Sequence, residues 1–205
     1  MQLYYFETMN PRKVCATAKY LRSPIEYVRL DPQSGDHTKP EHLARNPNGK
    51  VPVLIDGDLK LWESMAIMLH LADKAGSDLW PARDPARQVE VVRWLSWDLC
   101  SWMQFTGQYY FEYFIKPRLI GVNQPDHAAL ERAASGLHPS AAILDAHLAQ
   151  HRFVANEKLS IADFCLGVLL PYCAEIHLPL SDYRNIQRWH GELSKLDGWL
   201  DPWPS

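Results

Sequence analysis

Short β-rich runs alternate with helical patterns of apolar residues over the first 76 residues of the chain. The predicted strands are 2–6, 25–30, 51–56 and 59–62. A helix is predicted from Pro11 with Asn10 as its cap, because proline is tolerated in the first turn. A second helix follows Ser64 as its cap and ends at Gly76, and a short helix covers 39–46. This order fits one small sheet covered by helices.

Beyond residue 85 the apolar residues follow an almost purely helical period. The predicted helical stretches are 86–115, 126–150, 160–175 and 183–196. Pro139 is expected to kink or split the second of them, and Ser160 with Asp163 forms a capping box at the start of the third. The polar segment around Pro81 and Pro85 breaks the pattern. The sequence therefore predicts an α/β domain over 1–76, a linker over 77–85 and an all-α domain over 86–205.

The amino-acid composition indicates which kinds of partner the protein can bind and in which compartment it is found. The chain has 205 residues, of which 47% are hydrophobic and 22% charged, with a formal net charge of -3. No basic region of the kind that binds nucleic acid is present. No apolar stretch approaches membrane-spanning length, and the four cysteines are widely spaced without a CxxC. We therefore expect a soluble, cytoplasmic protein with reduced thiols and without nucleic-acid or membrane partners.

The stretch "NPNGKVPVL" places Pro52 between two valines inside a predicted strand. Proline has no N–H for a sheet ladder, so it is confined to edges, first positions and bulges. A segment of this kind leaves backbone groups unpaired. Those groups are either a defect or a place where a peptide-like ligand pairs.

Three motifs together resemble the cytosolic glutathione S-transferases over nearly the whole chain. They are "NPNGKVPVL", "LWESMAIMLHLADK" and "SIADF", in that order and spacing. The resemblance implies a thioredoxin-like N-terminal domain that holds glutathione as a co-substrate, an all-α C-terminal domain, and a homodimer with a role in detoxification. We expect no metal cofactor.

The resemblance also implies how glutathione is held. The proline that matches Pro52 is cis in the family, and the residue matching Val51 pairs through its backbone with the cysteinyl part of glutathione. Ser64 and the helix N-terminus suit the γ-glutamyl carboxylate, and Glu63 suits the ammonium group. Without the resemblance, Ser64 is explained equally well as a helix cap, and Glu63 as an acidic residue that the positive end of the helix dipole favours.

The loop "GDHTKP" and the residue after Gly49 offer cations for the glycyl carboxylate of glutathione. In the family, residues at these places contact that carboxylate. His37, Lys39 and Lys50 are the candidates, although a solvated loop explains each of them as well.

The chemistry needs donors that stabilise a thiolate at the end of the first strand. Lowering a thiol pKa by about two units requires about 2.7 kcal/mol, which one or two hydrogen bonds to a charged sulfur can supply. Thr8 and Asn10 are the candidate donors, as in similar bacterial and fungal members, whereas Tyr5 reads as core. This departs from the Tyr, Ser or Cys that the family more commonly uses. Arg12 and Lys13 either support an anion or pair with surface acids.

For two further groups of residues we prefer a structural role to a catalytic or metal-binding one. Cys15 lies five residues beyond the predicted cap and is expected in the core rather than at the site. His147 and His151 have a spacing that suits a metal, but no H-E-x-x-H pattern and no third ligand accompany them.

The helix "WLSWDLCSWMQFTGQYYFEYF" is dense in aromatic residues. Such a stripe is more often core or subunit interface than ligand pocket. In the family this helix lines the site for the hydrophobic co-substrate, and Asp98 would reach glutathione across a dimer. The candidates for contact with that co-substrate are Trp102, Phe105, Tyr109 and Tyr113.

The sequence thus favours a glutathione transferase that activates the thiolate for attack on a hydrophobic electrophile. Two alternatives remain open at this point. One is a glutathione-dependent disulfide reductase or peroxidase, and the other is a binding or regulatory protein that kept the fold and lost the chemistry.

Overall fold

The computed structural model describes residues 1–204, which divide into two compact units. The first unit contains Met1–Arg83 and, in addition, residues 196–204. The second unit is Asp84–Lys195. The domain limits expected from the sequence stay a prediction, but the return of the C-terminal residues to the first unit was not anticipated.

The first unit is built on a four-stranded mixed sheet in the order β2-β1-β3-β4. The strands are β1 Gln2–Tyr5, β2 Glu26–Arg29, β3 Val53–Asp56 and β4 Leu59–Trp62. β1 runs parallel to β2 and antiparallel to β3, and β3 and β4 form the predicted hairpin around Gly57. All four predicted strands are present, and Pro52 lies just before β3 rather than inside it.

The register of the sheet brings three chain segments to one end. Val53 at the start of β3 lies opposite Tyr4 near the end of β1 and opposite Trp62 at the end of β4. Residues that follow β1 and β4 and residues that precede β3 therefore meet at the same end of the sheet.

Two helices of the first unit begin slightly earlier than the sequence predicts, and the short helix predicted over 39–46 begins one residue later and is shorter. They are α1 Met9–Tyr20, α2 Pro40–Leu43 and α3 Ser64–Lys74, with a 3-10 turn at Asp36–Thr38. The cap of α1 is Thr8 rather than Asn10, because the Arg12 N–H already bonds to the Thr8 carbonyl at 3.0 Å. Likewise Glu63 is the cap of α3 and Ser64 is its first residue.

The second unit is mostly helical, as predicted. Its α-helices are α4 Pro85–Trp97, α5 Met103–Tyr110, α6 His127–Leu148, α7 Ile161–Leu166 and α8 Arg184–Leu193. Two π-helical segments, Asp98–Trp102 and Phe111–Ile120, continue α4 and α5. No helix among residues 1–204 is both long and apolar enough to cross a membrane.

Two helices of the second unit differ from their prediction. α6 continues through Pro139, because buried residues on either side hold it in place and the Ser140 hydroxyl donates to the Ser101 carbonyl at 2.9 Å. α7 is only six residues long and stops before Gly167, although its start at the Ser160–Asp163 capping box is confirmed. Tertiary packing overrides the local signal in the first case, and turn residues end the helix in the second.

Candidate functional site

The candidate residues of the first unit gather at one end of its sheet. Thr8 follows β1, Val51 and Pro52 precede β3, and Glu63 and Ser64 follow β4. The register fixes this arrangement, because the residues after Trp62 lie opposite those before Val53. The structure therefore brings together the residues that the sequence assigned to backbone pairing, to a helix N-terminus and to a sulfur.

Val51 offers two backbone groups that no other residue uses. The Val51–Pro52 peptide bond is cis, as the resemblance implied. Within residues 1–204 the N–H and C=O of half-buried Val51 make no hydrogen bond, and Pro52 has no N–H. An extended peptide can pair with these groups as an added strand does.

The N-terminus of α3 combines free donors with an unusual backbone. Glu63 has φ 72 and ψ 116, a left-handed conformation that costs a non-glycine residue about 1–3 kcal/mol and clusters at functional sites. Ser64 is 7% exposed, and its hydroxyl bonds to no other residue in the described part of the chain. The first N–H groups of an 11-residue helix also lack intrahelical acceptors. An anion is favoured here, beside a carboxylate that can hold a cation.

Thr8 and Asn10 carry donors that the fold does not use. Thr8 caps α1 without a side-chain hydrogen bond, and Asn10 is exposed at the second helical position. Neither side chain bonds to another residue among residues 1–204. Since the first turn of α1 contains no acid, these donors and the helix dipole favour an anionic atom at this point.

The two cations that follow are buried. Arg12 and Lys13 are 3% and 2% exposed, and the Arg12 guanidinium donates to the carbonyl of Trp199 in the C-terminal segment. Trp203 in the same segment stacks on Tyr5 with ring centroids 6.1 Å apart. Arg12 therefore takes part in joining α1 to the end of the chain.

Tyr5 and Cys15 are core residues, as expected. Both side chains are buried, and burial raises the pKa of the Cys15 thiol to about 12. Burial also raises the pKa of Tyr5. Neither group is a source of negative charge near neutral pH.

The three candidates for the glycyl carboxylate, His37, Lys39 and Lys50, differ in whether they already bond to other residues of the chain. Lys39 Nζ lies 2.6 Å from Asp36 Oδ1, and this bond is the main reason why the pKa of the half-buried Asp36 carboxyl falls to about 2. Lys50 is exposed and makes no ion pair within residues 1–204. His37 has a buried Nδ1 without a hydrogen-bond partner among these residues. Lys50 is therefore the more available cation for a carboxylate.

Two buried polar residues at this site were missed by sequence reasoning. His42 and Asn46 both bond to the carbonyl oxygen of Lys50, the residue before Val51. The signal that could have found Asn46 is its place in "NPNGKVPVL", where a buried asparagine needs partners. His42 carries no comparable signal, because a histidine in a short helix reads as surface.

The aromatic candidates of the second unit divide by burial. Trp102 is 1% exposed, and its indole N–H donates to the Leu166 carbonyl at 2.9 Å. Phe105 is half-buried and its ring covers Gly136 of α6. These contacts give both residues a packing role, and their contact with a substrate stays a prediction.

Tyr109 and Tyr113 line a cleft between α5, the following π-helical segment and α6. The cleft measures about 250 Å³ and is also lined by His127, Leu130 and Glu131 of α6. Tyr113 additionally packs edge-on against His177. Asp98 is fully buried at the start of its π-helical segment, and its reach across a dimer stays a prediction.

The described residues contain no group of three or more His, Cys, Asp or Glu side chains arranged to hold a metal. The rings of His147 and His151 lie 4.5 Å apart, but His147 Nε2 bonds to the Val154 carbonyl and His151 Nδ1 lies near Glu157. Burial lowers the pKa of His147. Both histidines therefore already contact nearby residues of the second unit.

Comparison with protein families gives two matches to this chain. Residues 1–73 match the glutathione S-transferase N-terminal domain, and residues 128–192 match the glutathione S-transferase C-terminal domain. A curated relative, the probable glutathione S-transferase GSTF2 of Oryza sativa subsp. japonica, is 30% identical over 192 residues. The alignment covers 90% of this chain and 86% of the relative.

Solved structures resemble the chain over nearly its full length. A delta-class glutathione transferase of Nilaparvata lugens has a TM-score of 0.82 and 29% identity, covering 98% of this chain and 92% of its own. A glutathione transferase family member of Pseudomonas fluorescens pf-5, solved with two glutathione bound, has a TM-score of 0.82 and 26% identity. That match covers 98% of this chain and 91% of the other.

Proposed function

The chain belongs to the glutathione S-transferase family of enzymes, and from this membership we propose that its first unit binds glutathione and activates the thiol for attack on an apolar electrophile. The observation that carries the proposal is the pair of unused backbone groups on Val51, at the same end of the sheet as the α3 N-terminus. Glutathione is a peptide with a carboxylate at each end, so it needs this combination.

The γ-glutamyl end of glutathione binds at α3. The Ser64 hydroxyl and the first N–H groups of the helix donate to the α-carboxylate, and the Glu63 carboxylate accepts from the ammonium group. The backbone conformation of Glu63 supports this role, because a strained residue persists where it is needed. Lys50, with His37 and Lys39 beside it, binds the glycyl carboxylate.

The cysteinyl part of glutathione pairs with Val51 beside Pro52, and its sulfur is held by Thr8 and Asn10. Hydrogen bonds from the Thr8 hydroxyl and the Asn10 amide are stronger to a thiolate than to a thiol. They therefore lower the thiol pKa and raise the fraction of the nucleophile at neutral pH.

The electrophile binds to the aromatic residues of the second unit. Tyr109 and Tyr113 line one cleft and Phe105 lines a second cleft of about 200 Å³, whereas Trp102 is buried. The disulfide reductase or peroxidase alternative would use the same glutathione site, and no feature of residues 1–204 favours it. The same holds for a binding protein without chemistry.

We also propose a homodimer that acts in detoxification in the cytoplasm. Exposed apolar side chains on α4 and just beyond it, among them Val89, Val92 and Leu99, support a subunit interface. Four free cysteines suit a reducing compartment. Light scattering coupled to size-exclusion chromatography tests the dimer.

Thiolate absorbance of glutathione, titrated with pH in the presence of the protein, tests thiol activation. We expect a lowered pKa with the wild type, and a pKa near that of free glutathione with Asn10→Ala or Thr8→Val. Thr17→Val is the matched control, because the Thr17 hydroxyl donates to the Lys13 carbonyl inside α1. Binding without any pKa shift in the wild type would contradict thiol activation.

Turnover separates the classes of reaction. The proposal expects conjugation of 1-chloro-2,4-dinitrobenzene with glutathione. Reduction of 2-hydroxyethyl disulfide without aryl halide turnover would select the reductase instead.

A further inference from the structure

The Lys50 carbonyl oxygen accepts hydrogen bonds from two buried side chains. Asn46 Nδ2 lies 2.8 Å from it and His42 Nε2 lies 3.1 Å from it. Since a carbonyl only accepts, the His42 ring carries its proton on Nε2. The two side chains are 3% and 2% exposed, so each bond is made out of contact with water.

The orientation of the Asn46 amide is fixed from its other side. Asn46 Oδ1 accepts from the backbone N–H and from the side-chain Nδ2 of Asn48, both at 3.0 Å. The amide nitrogen is therefore the group that faces Lys50. The backbone N–H of His42 bonds to the Lys39 carbonyl at 3.0 Å, whereas the buried Nδ1 of its ring has no hydrogen-bond partner within residues 1–204.

These bonds act on Val51 through the geometry of the peptide unit. The Lys50–Val51 bond is trans, because Val51–Pro52 is the cis bond in the described residues. In a trans peptide the C=O and the N–H lie in one plane and point in opposite directions. Two donors that fix the Lys50 carbonyl therefore also fix the direction of the Val51 N–H, which has no acceptor within residues 1–204.

We propose that His42 and Asn46 are positioning residues that hold the Val51 N–H in the orientation that the cysteinyl carbonyl of glutathione requires. This inference rests on the proposed binding of glutathione. The two residues act through the Lys50–Val51 peptide and not by touching the ligand. Their effect is preorganisation of the Val51 N–H. It improves binding because less conformational entropy is lost when the ligand binds.

Variants that remove one donor at a time test the proposal. With Asn46→Ala or His42→Phe, we expect the Kd for S-methylglutathione and the KM for glutathione to rise about 5- to 10-fold, as for one lost hydrogen bond. Because Thr8 and Asn10 are unchanged, kcat and the thiol pKa of bound glutathione should stay at wild-type values. His42→Gln keeps an N–H donor and should recover most of the affinity.

His147→Phe is the matched control. His147 Nε2 also bonds to a backbone carbonyl, that of Val154, but it lies in the second unit. This variant should leave the Kd for S-methylglutathione unchanged. Wild-type affinity in His42→Phe and Asn46→Ala would overturn the positioning role while leaving glutathione binding intact. Absence of binding in the wild type would overturn the proposed function itself, and the inference with it.

A measurement on the wild type covers the case in which a variant does not fold. The Val51 amide, followed by NMR hydrogen exchange, should exchange rapidly in the free protein and become protected at saturating S-methylglutathione. Unchanged exchange of this amide at saturation would overturn the proposal without any substitution.

Discussion

At the scale of single residues, burial separates the groups that can hold a sulfur anion from those that cannot. Thr8 and Asn10 keep free donors at the start of α1, whereas Cys15 lies less than two turns further on and is fully buried. Burial raises its pKa to about 12, so its thiol stays protonated at neutral pH. Helix α1 thus has neutral hydrogen-bond donors at its N-terminus and an unreactive, buried thiol further along.

Cys15→Ala should leave kcat, KM and the pH dependence of conjugation unchanged. Iodoacetamide should fail to label Cys15 in the folded protein, because its thiolate is scarce and inaccessible. Cys100 is exposed and serves as the labelling control. Loss of activity in Cys15→Ala with the fold intact would place Cys15 in the mechanism.

Asp163 links the capping box of α7 to the pH dependence of stability. Its carboxylate accepts from Ser160, from the Val154 N–H at 2.8 Å and from the Trp189 indole at 3.0 Å. Burial nevertheless raises the pKa of Asp163 to about 6. The folded protein therefore holds this proton more firmly than the unfolded chain, where an aspartate pKa is about 3.9.

The stabilisation from protonated Asp163 is complete below about pH 4 and is lost as the pH rises through about 6. The difference in unfolding free energy between the wild type and Asp163→Asn should therefore fall as the pH rises across this range, as urea unfolding would show. Asp126→Asn is a control of opposite sign. The Ala129 N–H lowers the pKa of Asp126, so its stabilisation is lost as the pH falls.

At the scale of elements, a glycine notch joins α5 to α6. A Cβ placed on Gly136 would lie 2.1 Å from Cζ of the Phe105 ring, a distance that no packing tolerates. The ring therefore sits directly against the backbone of α6. This contact explains a glycine in the middle of a helix, where it otherwise costs about 1 kcal/mol relative to alanine.

Gly136→Ala should lower the unfolding free energy by about 1–3 kcal/mol, because the ring must move out of the notch. Chemical denaturation measures the change. Phe105→Leu in the same chain should recover part of the loss, so the two substitutions should be non-additive. Gly191→Ala in α8 is the matched control, since nothing lies within 4 Å of a Cβ at that position. An unfolding free energy of Gly136→Ala equal to or above that of the wild type would contradict the packing of the Phe105 ring against Gly136.

Elements with a strong local pattern could be predicted from the sequence. The strands, the hairpin at Gly57 and the Ser160–Asp163 capping box follow from turn residues and short-range spacing. The continuity of α6 through Pro139 could not, because it depends on packing between helices. The π-helical segments were also missed, since an extra residue per turn leaves no clear mark on the apolar pattern.

At the scale of the whole molecule, the C-terminal segment completes the first unit. Trp199 is buried and its carbonyl accepts from Arg12, while Lys19 Nζ donates to the Asp201 carbonyl at 2.8 Å. The sequence could not predict these contacts, because they join positions more than 180 residues apart without any shared period. The candidate site was more predictable, since its segments carry family motifs and lie at the ends of short strands.

Trp199→Ala should lower the unfolding free energy of the protein by about 3–5 kcal/mol, as for other buried tryptophans. Asp201→Ala removes only an exposed ion pair with Lys19 and should cost less than about 1 kcal/mol. Differential scanning calorimetry compares the two variants. Equal stability of Trp199→Ala and the wild type would mean that the segment does not support the first unit.

The return of the last residues to the first unit also affects how the protein is made. A ribosome releases the N-terminal strands and helices early, but it releases residues 196–204 only after the whole second unit. The second unit can pack as soon as Lys195 has emerged, whereas the first unit must wait for Trp199, which is buried and follows Lys195 in the chain. The unit that begins first in the chain is thus expected to reach its final packing last.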